Sequence, residues 1–253
     1  MGLKAQIKTV LSPADTHYLL IADADTSGKD IIHKVHEFSE TVIIFSKKKL
    51  YIYSLKIKRC SMKILVTYAV QGEFTELKFP GLTGEEEVQV GYLRTGIGKV
   101  KSAFYLTEAI NRAQPDLVVN VGTAGTVRHQ VGDIFVCRHF VDRDMQRLKG
   151  FDMECEIDSA ALLAQKGYCL HWQREGVCNT GDTFLTELSD VKGDVVDMEA
   201  YAQAWVCRTK NTPFIAVKYV TDIIGQNSVK HWEDKLADAR KGLGAFFESI
   251  SVF

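Results

Sequence analysis

Five stretches of the sequence gather glycines, hydroxyls and carboxylates that could do chemistry. They are QGE at 71–73, TGIGK at 95–99, NVGTAGT at 120–126, GDTF at 181–184, and the pair DMEA at 197–200 with VTD at 220–222. The acids are the most informative. Glu73 and Asp222 each follow an apolar run, and Glu199 stands among Val196, Met198 and Ala200. An Asp or Glu at a strand end often caps a helix instead. Glu199 fits that explanation poorly, because a carboxylate in such company needs a designated partner, such as a pair of hydroxyls. The glycines first suggest a dinucleotide site, but after Gly96 and Gly98 position 101 is Lys101, so G-x-G-x-x-G fails. G-x-x-x-x-G-K-[ST] fails too. Two readings remain for these glycines: tight strand-to-helix turns, or a site built from backbone amides and hydroxyls. His33 and His36 lie three apart but offer only two metal ligands. No metal and no organic cofactor is expected.

These residues need elements to hold them. From Met62 the chain alternates strand-like runs with helix-like segments. The strand-like runs are MKILVTYAV (62–70), EVQVGYLRTG (87–96), DLVVNVGTAG (116–125), GDIFVCRHFVDRD (132–144) and FIAVKYVTD (214–222). Helices are predicted over 99–114, closed by Pro115, over VVDMEAYAQAWVCRTKN (195–211) and over 231–253. Near-continuous apolar runs suit strands buried on both faces. Strands alternating with helices predict right-handed βαβ units. The expected fold is α/β, with a mainly parallel, mixed central sheet flanked by helices on both faces. In open sheets of this class, ligands bind beyond the carboxyl ends of the strands.

The chain changes character near Ser61-Met62. Upstream, YLLIADAD (18–25) and TVIIFSKKKLYIYSLKIK (41–58) read as strands, and KDIIHKVHEF (29–38) has helical spacing. Residues 1–61 hold 10 basic and 6 acidic side chains, so the segment is basic. About 60 residues bury little apolar area alone, and no chemical motif occurs there. We expect 1–61 to be an amino-terminal extension and 62–253 to be the functional domain, since Met62 could itself begin a chain.

From Met62 onward the motifs resemble those of the nucleoside phosphorylase/nucleosidase superfamily, most closely its 5′-methylthioadenosine/S-adenosylhomocysteine nucleosidases. MKILVTYAVQGEFTEL is similar to that family's opening strand and its glutamate, and TGIGKVKSA to its S-G-I-G-K segment. QPDLVVNVGTAG followed by VGDIFV resembles P-D-x-x-x-N-x-G-S-A-G and V-G-D-I. GDTFL resembles G-D-x-F, VVDMEA resembles V-E-M-E-A, and AVKYVTD resembles the strand ending in S-D. Asp197 stands where the family has Glu, and Thr95 and Thr221 where it has Ser. Only 21 residues separate Glu73 from Thr95, so strands that the family places there are expected to be trimmed.

The resemblance implies a nucleoside phosphorylase-like fold and an N-glycosyl hydrolase acting on methylthioadenosine or S-adenosylhomocysteine as a homodimer. Glu73 would serve the hydrolytic water and Asp222 the purine N7. Glu199 and Met198 would hold the ribose, Glu199 on its 2′ and 3′ hydroxyls. Thr95 would lie near water and ribose, Phe184 and Leu185 would line the base, and Gly125 would border the substrate. In the loop 145–151, Leu148 and Phe151 would reach a neighbouring subunit's pocket. The chemistry is coherent. Breaking the bond leaves the sugar oxocarbenium-like and pushes electrons into the purine, so an acid at N7 improves the leaving group. Asp222 would have to stay protonated, which calls for a dry pocket. Glu73 would deprotonate water on the opposite face.

Hydrolysis and phosphorolysis differ in their need for an anion site of cations or amides. AVQGE has no arginine nearby and carries Glu73, which favours water as the nucleophile. The alternatives are a phosphorylase or another purine nucleosidase on the same fold, and a non-catalytic nucleoside-binding protein. The sequence leaves the 5′ substituent open.

Composition agrees with a small-molecule enzyme. There are 31 Lys+Arg against 32 Asp+Glu, and hydrophobic residues make up 46%. That balance argues against a nucleic-acid partner, and no run approaches the ~18 apolar residues of a membrane helix. The first 20 residues lack the apolar centre of a signal peptide, and Gln6 breaks the myristoylation pattern after Gly2. Six cysteines show no C-x-x-C pair, which reads as reduced thiols in a cytoplasmic protein.

Overall fold

The structure is a computed structural model and describes residues 6–11, 16–21, 41–46, 49–54, 62–73, 88–147, 154–168, 174–187, 191–226 and 228–249. The chain divides into two units, Met1–Arg59 and Cys60–Phe253. In the first, β1 (Gln6–Leu11), β2 (Thr16–Ile21), β3 (Thr41–Ser46) and β4 (Lys49–Ser54) form one sheet in that order. β1–β2 and β3–β4 are antiparallel and β2–β3 is parallel. The strand-like runs at 18–25 and 41–58 fall on β2, β3 and β4, while β1 has no counterpart in the sequence reading. The helical spacing at 29–38 lies outside the described residues.

In the second unit β5 (Met62–Tyr68), β6 (Val88–Arg94), β7 (Leu117–Thr126), β8 (Ile134–Asp142), β9 (Glu156–Asp158), β10 (Glu175–Thr180), β11 (Val195–Asp197) and β12 (Phe214–Ile223) form a mixed sheet. Its order is β11-β10-β8-β12-β7-β5-β6, with β9 on β8. β12–β7, β7–β5, β5–β6, β8–β10 and β10–β11 are parallel; β8 runs antiparallel to both β12 and β9. Every described residue of β12 up to Asp222 is buried, as is β7 through Gly122. Long apolar runs buried on both faces account for this.

The sheet is not open, as the sequence reading assumed. Val196 of β11 pairs antiparallel with Gly125 of β7, so β7, β12, β8, β10 and β11 close on themselves. Two further expectations change with this closure. NVGTAGT does not form a turn, because β7 continues through Gly122 and Gly125 to Thr126, with neither glycine at positive φ. Residues 195–197 are strand rather than the start of a helix, because they ladder onto β10. β10 itself, EGVCNT, was not anticipated.

Among the described residues the α-helices are α1 (Lys99–Ala113), α2 (Ala160–Gln165), α3 (Ala200–Thr209) and α4 (Ser228–Ser249). TGIGK does make the strand-to-helix turn: Gly96 and Gly98 take φ 75° and 96°, and Gly98 caps α1. α1 ends at Gln114, in the left-handed conformation, ahead of Pro115. Strand residues alternate between two apolar clusters, as a period of two requires. Leu65, Val118, Ala216 and Val220 share one with Leu106 of α1 and Ala204 of α3. Ile64, Val66, Val119 and Val217 share the other with Leu243 and Phe247 of α4. Among the described residues no helix is long and apolar enough to cross a membrane.

Candidate active site

Glu73 lies just beyond β5, where Gly72 at φ 99° turns the chain back. Its carboxylate is buried and held on both sides. Oε2 accepts from the amides of Ala69 (3.1 Å) and Val70 (3.0 Å). Oε1 accepts from the amide of Thr123 (3.3 Å) and from its hydroxyl (2.9 Å). These four donors fix the plane of the carboxylate. A Cβ on Gly122 would stand 3.3 Å from Oε1, so a bare backbone at 122 makes room for the acid.

Asp222 is aimed by a bulge. β12 pairs with β7 in register from Phe214↔Val118 to Val220↔Ala124, then shifts so that Asp222 faces Gly125. Thr221 is the extra residue, and such a bulge re-aims the side chains that follow it. The Thr221 hydroxyl donates to Asp222 Oδ1 at 2.9 Å. A Cβ on Gly125 would lie 3.0 Å from Asp222 Oδ2. The glycines of NVGTAGT therefore admit two carboxylates to the strand surface.

Glu199 occupies the N-cap position of α3, yet its side chain makes no capping bond. Asp197 does that work, accepting from the Ala200 amide at 2.9 Å. Glu199 Oε1 instead accepts from the Gly98 amide at 3.0 Å, across the TGIGK turn. Behind it Lys218, 2% exposed on β12, forms a 2.7 Å ion pair with Asp197. The Thr180 hydroxyl also donates to Asp197, at 2.6 Å. Burial works against charge on Asp197, but the Lys218 ammonium overcomes it and holds that carboxyl below its usual range. Lys218 is likewise held above its usual range: burial opposes its charge, and Asp197, followed by Cys178 and Glu199, outweighs the penalty. For Glu199 the balance reverses. Burial, then the neighbouring Asp197, pushes it up to about 8 against the pull of Lys218 and Gly98.

One cavity brings the three acids together. Glu73, Glu199 and Asp222 line it with Asp197, Met198, Phe184, Leu185 and Gly125. Val70, Ile97, Thr123, Thr183 and Trp232 also line it. Phe184 and Trp232 face each other edge to face at 6.4 Å. Among the described residues on the wall there is no Lys, Arg or His, so the charged groups are all carboxyls. Thr95 does not line it. It is fully buried, and its hydroxyl is spent on the carbonyls of Tyr68 and Gly96, each at 3.2 Å. Leu148 and Phe151 lie outside the described residues. No group of three or more His, Cys, Asp or Glu is placed to hold a metal among the described residues.

The remaining loop, GDTF, is fixed by Arg143. Its guanidinium donates to Asn179 Oδ1 at 3.2 Å and to the Thr183 carbonyl at 2.8 Å. A Cβ at Gly181 would come within 2.6 Å of that guanidinium, so a side chain there would displace Arg143 from these bonds. Lys99 ties the loop to the other rim. Its ammonium pairs with Asp142 (3.0 Å) and Asp144 (2.8 Å), and its amide donates to Asp182 at 2.8 Å. No motif singles out Lys218, Arg143, Thr123 or Trp232 individually in the sequence. A lysine inside FIAVKYV was the one available signal, since a charge in a buried run requires a partner.

Residues 61–250 match the sequence profile of the Phosphorylase superfamily. A 5′-methylthioadenosine/S-adenosylhomocysteine nucleosidase of Bacillus licheniformis is 30% identical over 218 residues, covering 71% of this chain and 94% of the relative. The nucleosidase of the same name from Bacillus subtilis is 30% identical over 185 residues, covering 62% and 78%. The crystal structure of such a nucleosidase from Colwellia psychrerythraea, in complex with adenine, superposes with a TM-score of 0.58 at 26% identity, covering 74% of this chain and 93% of that one. With the mixed closed sheet, the acid-lined cavity and a profile match over most of its length, the chain belongs to the Phosphorylase superfamily.

Proposed function

We propose that this chain hydrolyses the N-glycosidic bond of 5′-methylthioadenosine or S-adenosylhomocysteine and releases adenine. The observation that carries the reading is the convergence of Glu73, Glu199 and Asp222 on one cavity. In this reading Asp222 delivers a proton to N7 as electrons flow into the purine. Glu73 orients a water and takes its proton as the sugar becomes oxocarbenium-like. Glu199 accepts the ribose hydroxyls, with Met198 beneath the sugar and Phe184 and Leu185 against the base. Thr95 then acts at one remove, through the TGIGK turn. An all-carboxyl wall favours water over phosphate, because an anion there would meet repulsion and no counter-charge.

The catalytic unit in this reading is 62–253, with 1–61 an extension outside the chemistry. Its sheet carries helices on both faces, which the division of strand residues between the α1/α3 and α4 clusters supports. The working form is a homodimer. Val100 is 79% and Phe104 58% exposed on α1, one turn apart and close to Ile97, an apolar face suited to a second copy.

The test is adenine release from methylthioadenosine with and without phosphate. Turnover is expected in its absence, and strict phosphate dependence would overturn the hydrolase reading. Asp222→Asn should lower kcat by about 10²–10⁴-fold while nucleoside still binds. A chain that binds the nucleoside but never releases adenine would instead be a binding protein.

A further inference from the structure

We propose that Trp232 is a positioning residue for Glu73, acting through the hydroxyl of Thr123. The inference rests on the reading of Glu73 as the group that handles the water. Trp232 lies in the first turns of α4, and its indole Nε1–H donates to Thr123 Oγ1 at 2.9 Å. Thr123 Oγ1 in turn lies 2.9 Å from Glu73 Oε1. The direction of this chain is fixed by valence. An indole nitrogen only donates, and a threonine hydroxyl has a single proton. With Trp232 occupying an acceptor position of Oγ1, that proton is left for Glu73.

The consequence concerns mobility at the carboxylate. Three of the four donors to Glu73 are backbone amides, fixed by the 69–73 turn and by β7. The Thr123 hydroxyl is the one that can rotate away. Trp232 removes that freedom, so the plane of the carboxylate and the oxygen left facing the cavity are set before substrate arrives. Such preorganisation lowers the reorganisation needed in the reaction, and it does not require contact with the nucleoside. Trp232 also forms part of the cavity wall beside Phe184, so its ring and its N–H have separable roles.

Trp232→Phe keeps an aromatic ring and deletes the donor. Steady-state kcat and KM for methylthioadenosine, and adenine affinity by competition, should be measured for wild type, Trp232→Phe, Thr123→Val, Thr123→Ser and the Trp232→Phe/Thr123→Val pair. Trp232→Phe should lower kcat about fivefold with KM and adenine affinity within about twofold, as expected for one hydrogen bond to a relay. Thr123→Val should lower kcat about tenfold or more, and Thr123→Ser should restore it. In the Thr123→Val background, Trp232→Phe should have no further effect. Equal losses in both backgrounds, a change in KM alone, or no change at all would each overturn the relay while leaving the nucleosidase reading standing. If wild type releases no adenine, that reading fails and the relay falls with it.

Discussion

Replacing Glu199 by Gln should make the protein more stable and less able to hold a nucleoside, with a pH dependence that identifies the cause. Burial and Asp197 raise the Glu199 carboxyl from 4.5 to about 8 in the folded chain. Between those values the native state keeps a proton that the unfolded chain has released, so the native state binds more protons. Stability therefore falls as pH rises, by about 1.4 kcal/mol per unit, and the loss is complete once pH passes the folded value. At pH 7 the accumulated cost is about 3 kcal/mol. Glutamine cannot ionise, and its Oε1 can still accept from the Gly98 amide. The stability gap should be near zero around pH 4.5 and about 3 kcal/mol at pH 7, equivalent to a midpoint shift on the order of 10 °C. Thermal or denaturant melts of both proteins across pH 4.5–8 read it directly. A gap that does not change with pH, or a Gln variant less stable at neutral pH, would refute the burial argument. Nucleoside affinity of the same variant should fall; unchanged binding would remove Glu199 from the ribose.

Two other substitutions follow from the same geometry. Lys218→Met leaves Asp197 buried without its counter-charge and should cost about 3–5 kcal/mol in denaturant melts, and a cost near zero would mean the pair is not formed as described. Gly125→Ala is compatible with the local backbone but drives a Cβ to 3.0 Å from Asp222 Oδ2, so turnover should fall about tenfold with little change in melting temperature; wild-type turnover would show that Asp222 need not sit where it does.

The long apolar strands were legible because burial on both faces leaves a continuous run that nothing else explains, as in β5, β7 and β12. β10 was not legible. EGVCNT is short and mixed, and it becomes a strand only because β8 and β11 supply ladders on either side. Closure of the sheet was hidden for a similar reason, since a single Val196–Gly125 pairing creates it. At the site, Glu199 was recognisable as an acid in apolar surroundings, while Glu73 and Asp222 stood out only as acids after apolar runs and took their roles from the family resemblance; all three reach the cavity. Thr95 is expected at the site, but its hydroxyl bonds to the carbonyls of Tyr68 and Gly96. A hydroxyl next to glycine has the same local pattern whether it faces a ligand or a carbonyl. Trp232 could not be placed at all, because no periodicity says which aromatic of a closing helix will overhang a strand more than a hundred residues earlier.

The closed sheet also explains how acids can share one cavity. Neighbouring carboxylates raise one another's proton affinity, so the arrangement is stable only if their charge states are divided. Asp197 keeps its charge by taking Lys218, the Thr180 hydroxyl and the Ala200 amide. Glu199, two residues on, has a single donor and keeps its proton near neutrality. Closure puts β11 beside β7, which sets Asp197 and Glu199 near the strand whose glycines admit Glu73 and Asp222. An open sheet with the same strands would leave β11 without that neighbour. The glycines at 122 and 125 and the bulge at Thr221 then follow as requirements of one geometry: carboxylates must lie against the strand surface, and only missing side chains and a shifted register let them.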